Sequence, residues 1–63
     1  KQCFTTEQVS ELLRLISFED SKLELAKFAW DFTLDKENYY KIADVFTFSS
    51  SKESLMKFLE GKN

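Results

Sequence analysis

Asp31, Thr33, Asp35 and Glu37 alternate along the stretch DFTLDKE, the spacing with which a calcium-binding loop opens. Such a loop needs glycine at its sixth position and a bidentate glutamate at its twelfth. Those positions hold Lys36 and Ile42, so the stretch reads as a charged turn between helices. The pairs Glu19/Asp20 and Asp31/Asp35 are near enough in sequence for acid–base work. That chemistry requires desolvation to split the two pKa values. Both pairs lie in or beside turns facing water, where capping and solubility account for them. There is no histidine, so no serine has its usual base, and zinc and haem lose their common ligands. A lone Cys3 can close no internal disulfide and has no imidazole to activate it. A single glycine cannot build a phosphate-cradling loop. The expectation is a non-enzymatic chain with no catalytic residue, no cofactor and no metal site.

What the residues must support instead is a core. A chain of 63 residues is one domain at most and buries only ~60% of its unfolded surface. Disulfides and metals, the usual staples of small folds, are absent from the inventory. Seven Phe, two Tyr and one Trp take their place, each ring removing about 150–250 Å² from water when buried. The net charge is −2 with acidic and basic residues interspersed. No basic run offers a grip on nucleic acid, and no apolar run approaches the ~20 residues of a membrane span. The unpaired thiol tilts the compartment towards a reducing one such as the cytoplasm. Because the chain starts at Lys1, it is expected to be excised from a longer protein.

The chain says nearly the same thing twice. FEDSKLELAKF, from Phe18, is echoed by FSSSKESLMKF, from Phe48. Setting residues 4–29 on 34–59 without a gap gives seven identities: Glu7/Glu37, Phe18/Phe48, Ser21/Ser51, Lys22/Lys52, Leu25/Leu55, Lys27/Lys57 and Phe28/Phe58. Apolar positions match as well, among them Val9/Tyr39, Leu12/Ile42, Leu15/Val45 and Ile16/Phe46. A fixed period near thirty marks a repeated supersecondary unit.

Each unit reads as a helix pair. Val9, Leu12, Leu13 and Ile16 fall at i, i+3, i+4 and i+7, one face of an α-helix. Thr5 or Thr6 is its cap. Tyr39, Ile42, Ala43 and Phe46 repeat the spacing, with Asp35 as N-cap. The second helix of the first unit carries two stripes, Leu25–Phe28–Ala29–Phe32 and Leu23–Ala26–Trp30, and should be the most buried element. Leu55, Met56, Phe58 and Leu59 form its shorter counterpart, ended by Gly61. Phe18 and Phe48 stand in the turns and are read as inward plugs. The hydroxyl and acidic residues behind each ring, Asp20 and Ser50 among them, are read as helix caps, with Ser21/Glu24 and Ser50/Glu53 at capping-box spacing. Capping also accounts for the serines at 49–51. The predicted fold is all-α, with four short helices as two αα-hairpin repeats of about thirty residues. Units at about 4–33 and 34–61 would make a single domain over 1–63, a compact solenoid-like or irregular four-helix bundle.

Three stretches, FEDSKLELAKFA, DKENYY and FTFSSSKESLMKFL, resemble the small helical family catalogued as domain of unknown function 4476. The resemblance runs over about residues 4–59. It implies a helical fold with no established activity, and a further helical unit ahead of this stretch.

With catalysis set aside, two roles remain. One is a protein–protein interaction module within a larger chain, its surplus aromatic residues Trp30, Tyr39 and Tyr40 being the candidate partner-binding residues. The other is a structural spacer or capping segment in an extended helical array, its partner the flanking repeats of the parent chain. An apolar face left open would make it prone to weak self-association. The recurring lysines at 22/52 and 27/57 read as solvated helix faces.

Overall fold

A computed structural model describes residues 3–62. In chain order it contains α1 (Thr6–Arg14), α2 (Glu19–Ala29), a 3₁₀ turn η1 (Trp30–Phe32), a 3₁₀ helix η2 (Lys36–Val45) and α3 (Ser49–Glu60). Four helices and the short η1 turn thus make an all-helical globule. Among the described residues the sole β-type feature is one parallel bridge between Phe4 and Thr33, in which Phe4 N–H donates to Phe32 O at 2.8 Å and Leu34 N–H to Phe4 O at 2.7 Å. Among the described residues no helix is long and apolar enough to cross a membrane.

α1 starts as its sequence predicts. The Thr5 hydroxyl accepts the Gln8 N–H at 3.2 Å, and the Gln8 side chain accepts the Thr5 N–H at 3.1 Å. This reciprocal capping box leaves Val9 and Leu13 facing inward, both buried.

α2 departs from expectation. It buries only the stripe Lys22, Ala26 and Ala29, because the small alanines let its neighbours approach while the bulkier stripe of Leu25 and Phe28 is turned aside. It is therefore not the most buried element. The helix also stops at Ala29, and its last carbonyls are met by side chains from further along: the Thr33 hydroxyl donates to Ala29 O at 2.9 Å, and the Tyr39 hydroxyl to Ala26 O.

The helix expected over Tyr39–Phe46 is a ten-residue 3₁₀ helix, longer than such helices usually run. With three residues per turn, Tyr39, Ile42 and Val45 eclipse one another on a single buried face. The higher rise lets ten residues span ~20 Å, close to the ~18 Å of the twelve-residue α3 that it packs against. α3 buries Ser51 and Leu55. Gly61 follows it with φ −68°, so no left-handed turn is used.

Contacts run in a ring. α1 packs on α2 and on η2, and α3 packs on the same two partners. Val9, Leu13, Ala26, Tyr39, Ile42 and Leu55 form the centre of the core. The Cα atoms span 30 × 26 × 15 Å, a flat slab in which each helix keeps one face in water.

Candidate functional site

The polar geometry is concentrated where helices begin. Asp35 precedes η2, yet its Oδ1 accepts the Thr6 N–H at 2.7 Å and lies 3.1 Å from the Thr6 hydroxyl. It thereby caps α1, with Asn38 donating to its other oxygen at 3.2 Å. The Thr6 N–H holds the Asp35 carboxyl below its ordinary value, outweighing the desolvation that pushes it up. Glu19 does the converse. From the first turn of α2 its Oε2 accepts the N–H groups of Thr47 at 2.9 Å and Phe48 at 3.1 Å, just ahead of α3. Desolvation raises its pKa, but the Phe48 and Thr47 N–H groups, the Ser51 hydroxyl and the Lys22 charge together bring it below the ordinary range.

Lys22 completes this clamp. Its side chain is buried, with Nζ 3.1 Å from Val45 O and 3.9 Å from Glu19 Oε1. An ammonium at the last carbonyls of a helix suits both the free acceptor and the dipole.

These contacts reassign several predicted residues. Thr5 caps α1 as expected. Asp35 is a cap, but of α1 rather than of its own helix. Asp20 and Ser50 lie within the first turns of α2 and α3 and make no cap bond, and neither capping box forms there. The capping positions themselves are Phe18 and Phe48, with backbones at φ −92°, ψ 131° and φ −93°, ψ 140°. Those rings are not plugs: they are 76% and 59% exposed. In a slab this thin, an extended residue at a helix entry has no interior to point into.

The three aromatic candidates part company. Tyr39 is buried, its hydroxyl turned on Ala26 O, and burial pushes its phenol far above the ordinary value. It is core and cannot touch a partner. Tyr40 is exposed and Trp30 half-buried, and the two line one hollow of about 270 Å³ with Lys36, Glu37 and Leu59. Lys36 Nζ sits 4.9 Å above the Trp30 ring and Lys62 Nζ 5.4 Å, so cations already occupy its faces.

A second hollow is larger in consequence. Between α1 and α2, Phe4, Val9, Leu12, Leu25, Phe28 and Phe32 enclose about 240 Å³ with no polar side chain among them. Its rim is open: Leu12 is 47% and Phe28 66% exposed, and the adjoining Leu15 is 81% exposed. Phe28 and Phe32 meet at 5.2 Å between ring centroids, tilted by 46°. Elsewhere the chemistry is sparse. Among the described residues no cluster of three His, Cys, Asp or Glu is placed to hold a metal, and the free Cys3 is exposed.

Residues 1–59 match the model of the family described as Domain of unknown function (DUF4476). The chain belongs to this family. No curated protein and no solved structure matches it. The family resemblance is thus borne out.

In this DUF4476 domain the groove is the feature that sequence reasoning missed. Its signal was present, since Leu25, Phe28, Ala29 and Phe32 form a regular stripe. A stripe of that kind reads as core, and only the ring-like packing leaves it without a covering helix.

Proposed function

We propose that the domain is a non-enzymatic protein–protein interaction module that receives apolar side chains of a partner helix in the groove between α1 and α2. The observation that carries this reading is the groove itself, walled by Phe4, Val9, Leu12, Leu25, Phe28 and Phe32 and open at Leu12 and Phe28. Contiguous apolar surface of this kind on a small domain marks interaction sites. A volume of about 240 Å³ is below the ~300–1,000 Å³ of small-molecule pockets and suits two or three side chains of an amphipathic helix. Trp30 and Tyr40 would supply a second, polar-rimmed contact.

We also read the domain as two helix pairs related by thirty residues. α1 and η2 begin at Thr6 and Lys36, and α2 and α3 at Glu19 and Ser49, each pair thirty apart. Side chains cross between the two halves at both pairs of starts, Asp35 to Thr6 and Glu19 to Phe48. A role as one segment of a longer helical array is the second reading. It is favoured by one contrast: Leu12 and Leu15 are exposed where their counterparts Ile42 and Val45 are buried.

The test is a set of amphipathic helical peptides with leucines at i, i+3, i+4 and i+7, titrated into isotope-labelled domain. Shifts centred on Leu12, Leu25 and Phe28, lost in Leu12→Glu, are the expected outcome. Shifts confined to Trp30 and Tyr40, or none at all, would overturn the assignment of the groove.

A further inference from the structure

We infer, resting on the interaction-module reading above, that the partner helix is basic, with lysine or arginine flanking the apolar stripe it lays in the groove. The groove is apolar inside and acidic at its edges. On the α1 side Glu11 stands beside Leu12 and lines the same surface hollow as Phe4 and Leu15. On the α2 side the exposed Phe28 forms the rim. Glu24 lies four residues before Phe28 and Asp31 three after it, positions that share a helix face. Asp20 continues that edge four residues before Glu24. All four carboxylate residues are exposed.

The cations of the same elements are engaged elsewhere. Lys22 Nζ is buried against Val45 O at 3.1 Å. Arg14 lines the hollow between α1 and η2, together with Glu7 and Asp44. Lys36 Nζ donates to Thr33 O at 2.8 Å and sits over the Trp30 ring, in the hollow shared with Tyr40. Lys27 is the base nearest the acidic edge, three residues from Glu24 and four from Asp31. Its Nζ is directed to α3 instead, 5.9 Å from the centre of the Phe58 ring. Among the described residues the sole ion pair is Lys22 with Glu19, and no ammonium or guanidinium lines the groove or the hollow at its Glu11 edge.

An acidic rim around an apolar floor selects by sign. An acidic helix, a phosphate backbone or an anionic lipid surface meets repulsion there. Lysine and arginine lay their stems along Leu12 and Phe28 and set their charges beside Glu11 and Glu24. The length also fits. From Leu25 to Phe32 the α2 wall advances seven residues, ~10 Å of helix axis, which matches the i to i+7 reach of two turns in a partner. Each exposed charge pair adds little alone, and several together give about a 5- to 10-fold preference at low salt.

The experiment titrates three helical peptides with one leucine stripe, flanked by lysine, glutamine or glutamate, into isotope-labelled domain. The lysine peptide should bind about 5- to 10-fold tighter than the glutamine peptide at ~20 mM salt, and within about 2-fold at ~500 mM. The glutamate peptide should bind weakest, with shifts centred on Leu12, Leu25 and Phe28 in every case. Glu11→Lys combined with Glu24→Lys should reverse the order, circular dichroism checking the fold. Glu11→Gln with Glu24→Gln stands in should that variant lose helix, and should narrow the gap between the lysine and glutamine peptides. Equal affinities for all three peptides, with Leu12 and Phe28 still shifting, would overturn the basic partner and leave the interaction module standing. Lysine-peptide shifts centred on Glu7 and Asp44 would overturn it as well. So would Leu12 and Phe28 signals that move with the domain's own concentration and that no peptide displaces, which would assign the groove to a second copy. No groove shift with any peptide would remove both readings.

Discussion

The Nζ of Lys22 lies 3.1 Å from the carbonyl oxygen of Val45, tying the first turn of α2 to the end of η2. Lys52 occupies the matching place in the second phrase and is exposed. Two lysines with the same neighbours in sequence thus have different jobs. One is a buried hydrogen-bond donor, the other a solvated charge.

That difference is measurable by urea unfolding. Lys22→Ala leaves a buried helix-end carbonyl without its charged donor and removes the packed stem, and should cost ~1–3 kcal/mol. Lys52→Ala should fall within ~0.5 kcal/mol of wild type. Equal losses at the two sites would contradict the clamp.

Phe18 stands at a capping position with extended backbone and no side-chain cap bond. Phe18→Ser places a hydroxyl there while giving up a ring that is mostly in water. Stability should rise by ~0.5–1 kcal/mol. A loss of ~3 kcal/mol or more, as expected for truncating a buried aromatic, would restore the plug.

Tyr39 combines a buried ring with a hydroxyl donated to Ala26 O. Tyr39→Phe should cost ~1 kcal/mol through the lost bond, and Tyr39→Ala ~3–5 kcal/mol through the cavity, enough to unfold a domain of this size. Its folded pKa is raised by burial above the ordinary 10.0. The stability it contributes is therefore complete below pH ~10 and lost as pH rises beyond. Tyr39→Phe should flatten the alkaline limb of a plot of Tm against pH.

Glu19 and Asp35 act at the other end of the scale. Both folded pKa values lie below the ordinary 4.5 and 3.8. Their contribution is present above those values and lost as pH falls through the folded ones. Tm should hold from neutrality to pH ~5 and then drop. Glu19→Gln should lower Tm at neutral pH and shrink the acid-induced fall. An unchanged acid limb in this variant would show that the carboxylate is not capping α3.

Local chemistry was legible where donor and acceptor are close in sequence. Thr5 and Gln8 are three residues apart, and their capping box could be expected from residue types alone. Asp35 could be recognised as a cap, since short carboxylates suit helix starts. Which helix it serves could not, because Thr6 lies twenty-nine residues away. The α-type spacing of Tyr39, Ile42, Ala43 and Phe46 likewise fits two geometries. Only the burial of Val45, in phase with Tyr39 and Ile42, separates three residues per turn from 3.6.

The candidate surface divides along the same line. Tyr40 lies one step off the apolar stripe and is exposed. Tyr39 sits on that stripe and proves to be core. Phe28 and Leu12 lie on stripes that read as core and turn outward instead.

The amino-acid sequence by itself determined the all-helical class, the family, the entry to α1 and the thirty-residue echo between the halves. Those follow from periodicity, capping chemistry and composition, which act over a few residues at a time. The tertiary structure decided which apolar stripes are covered. With four helices in a ring there are fewer covering faces than apolar ones, and packing alone selects the groove that stays open.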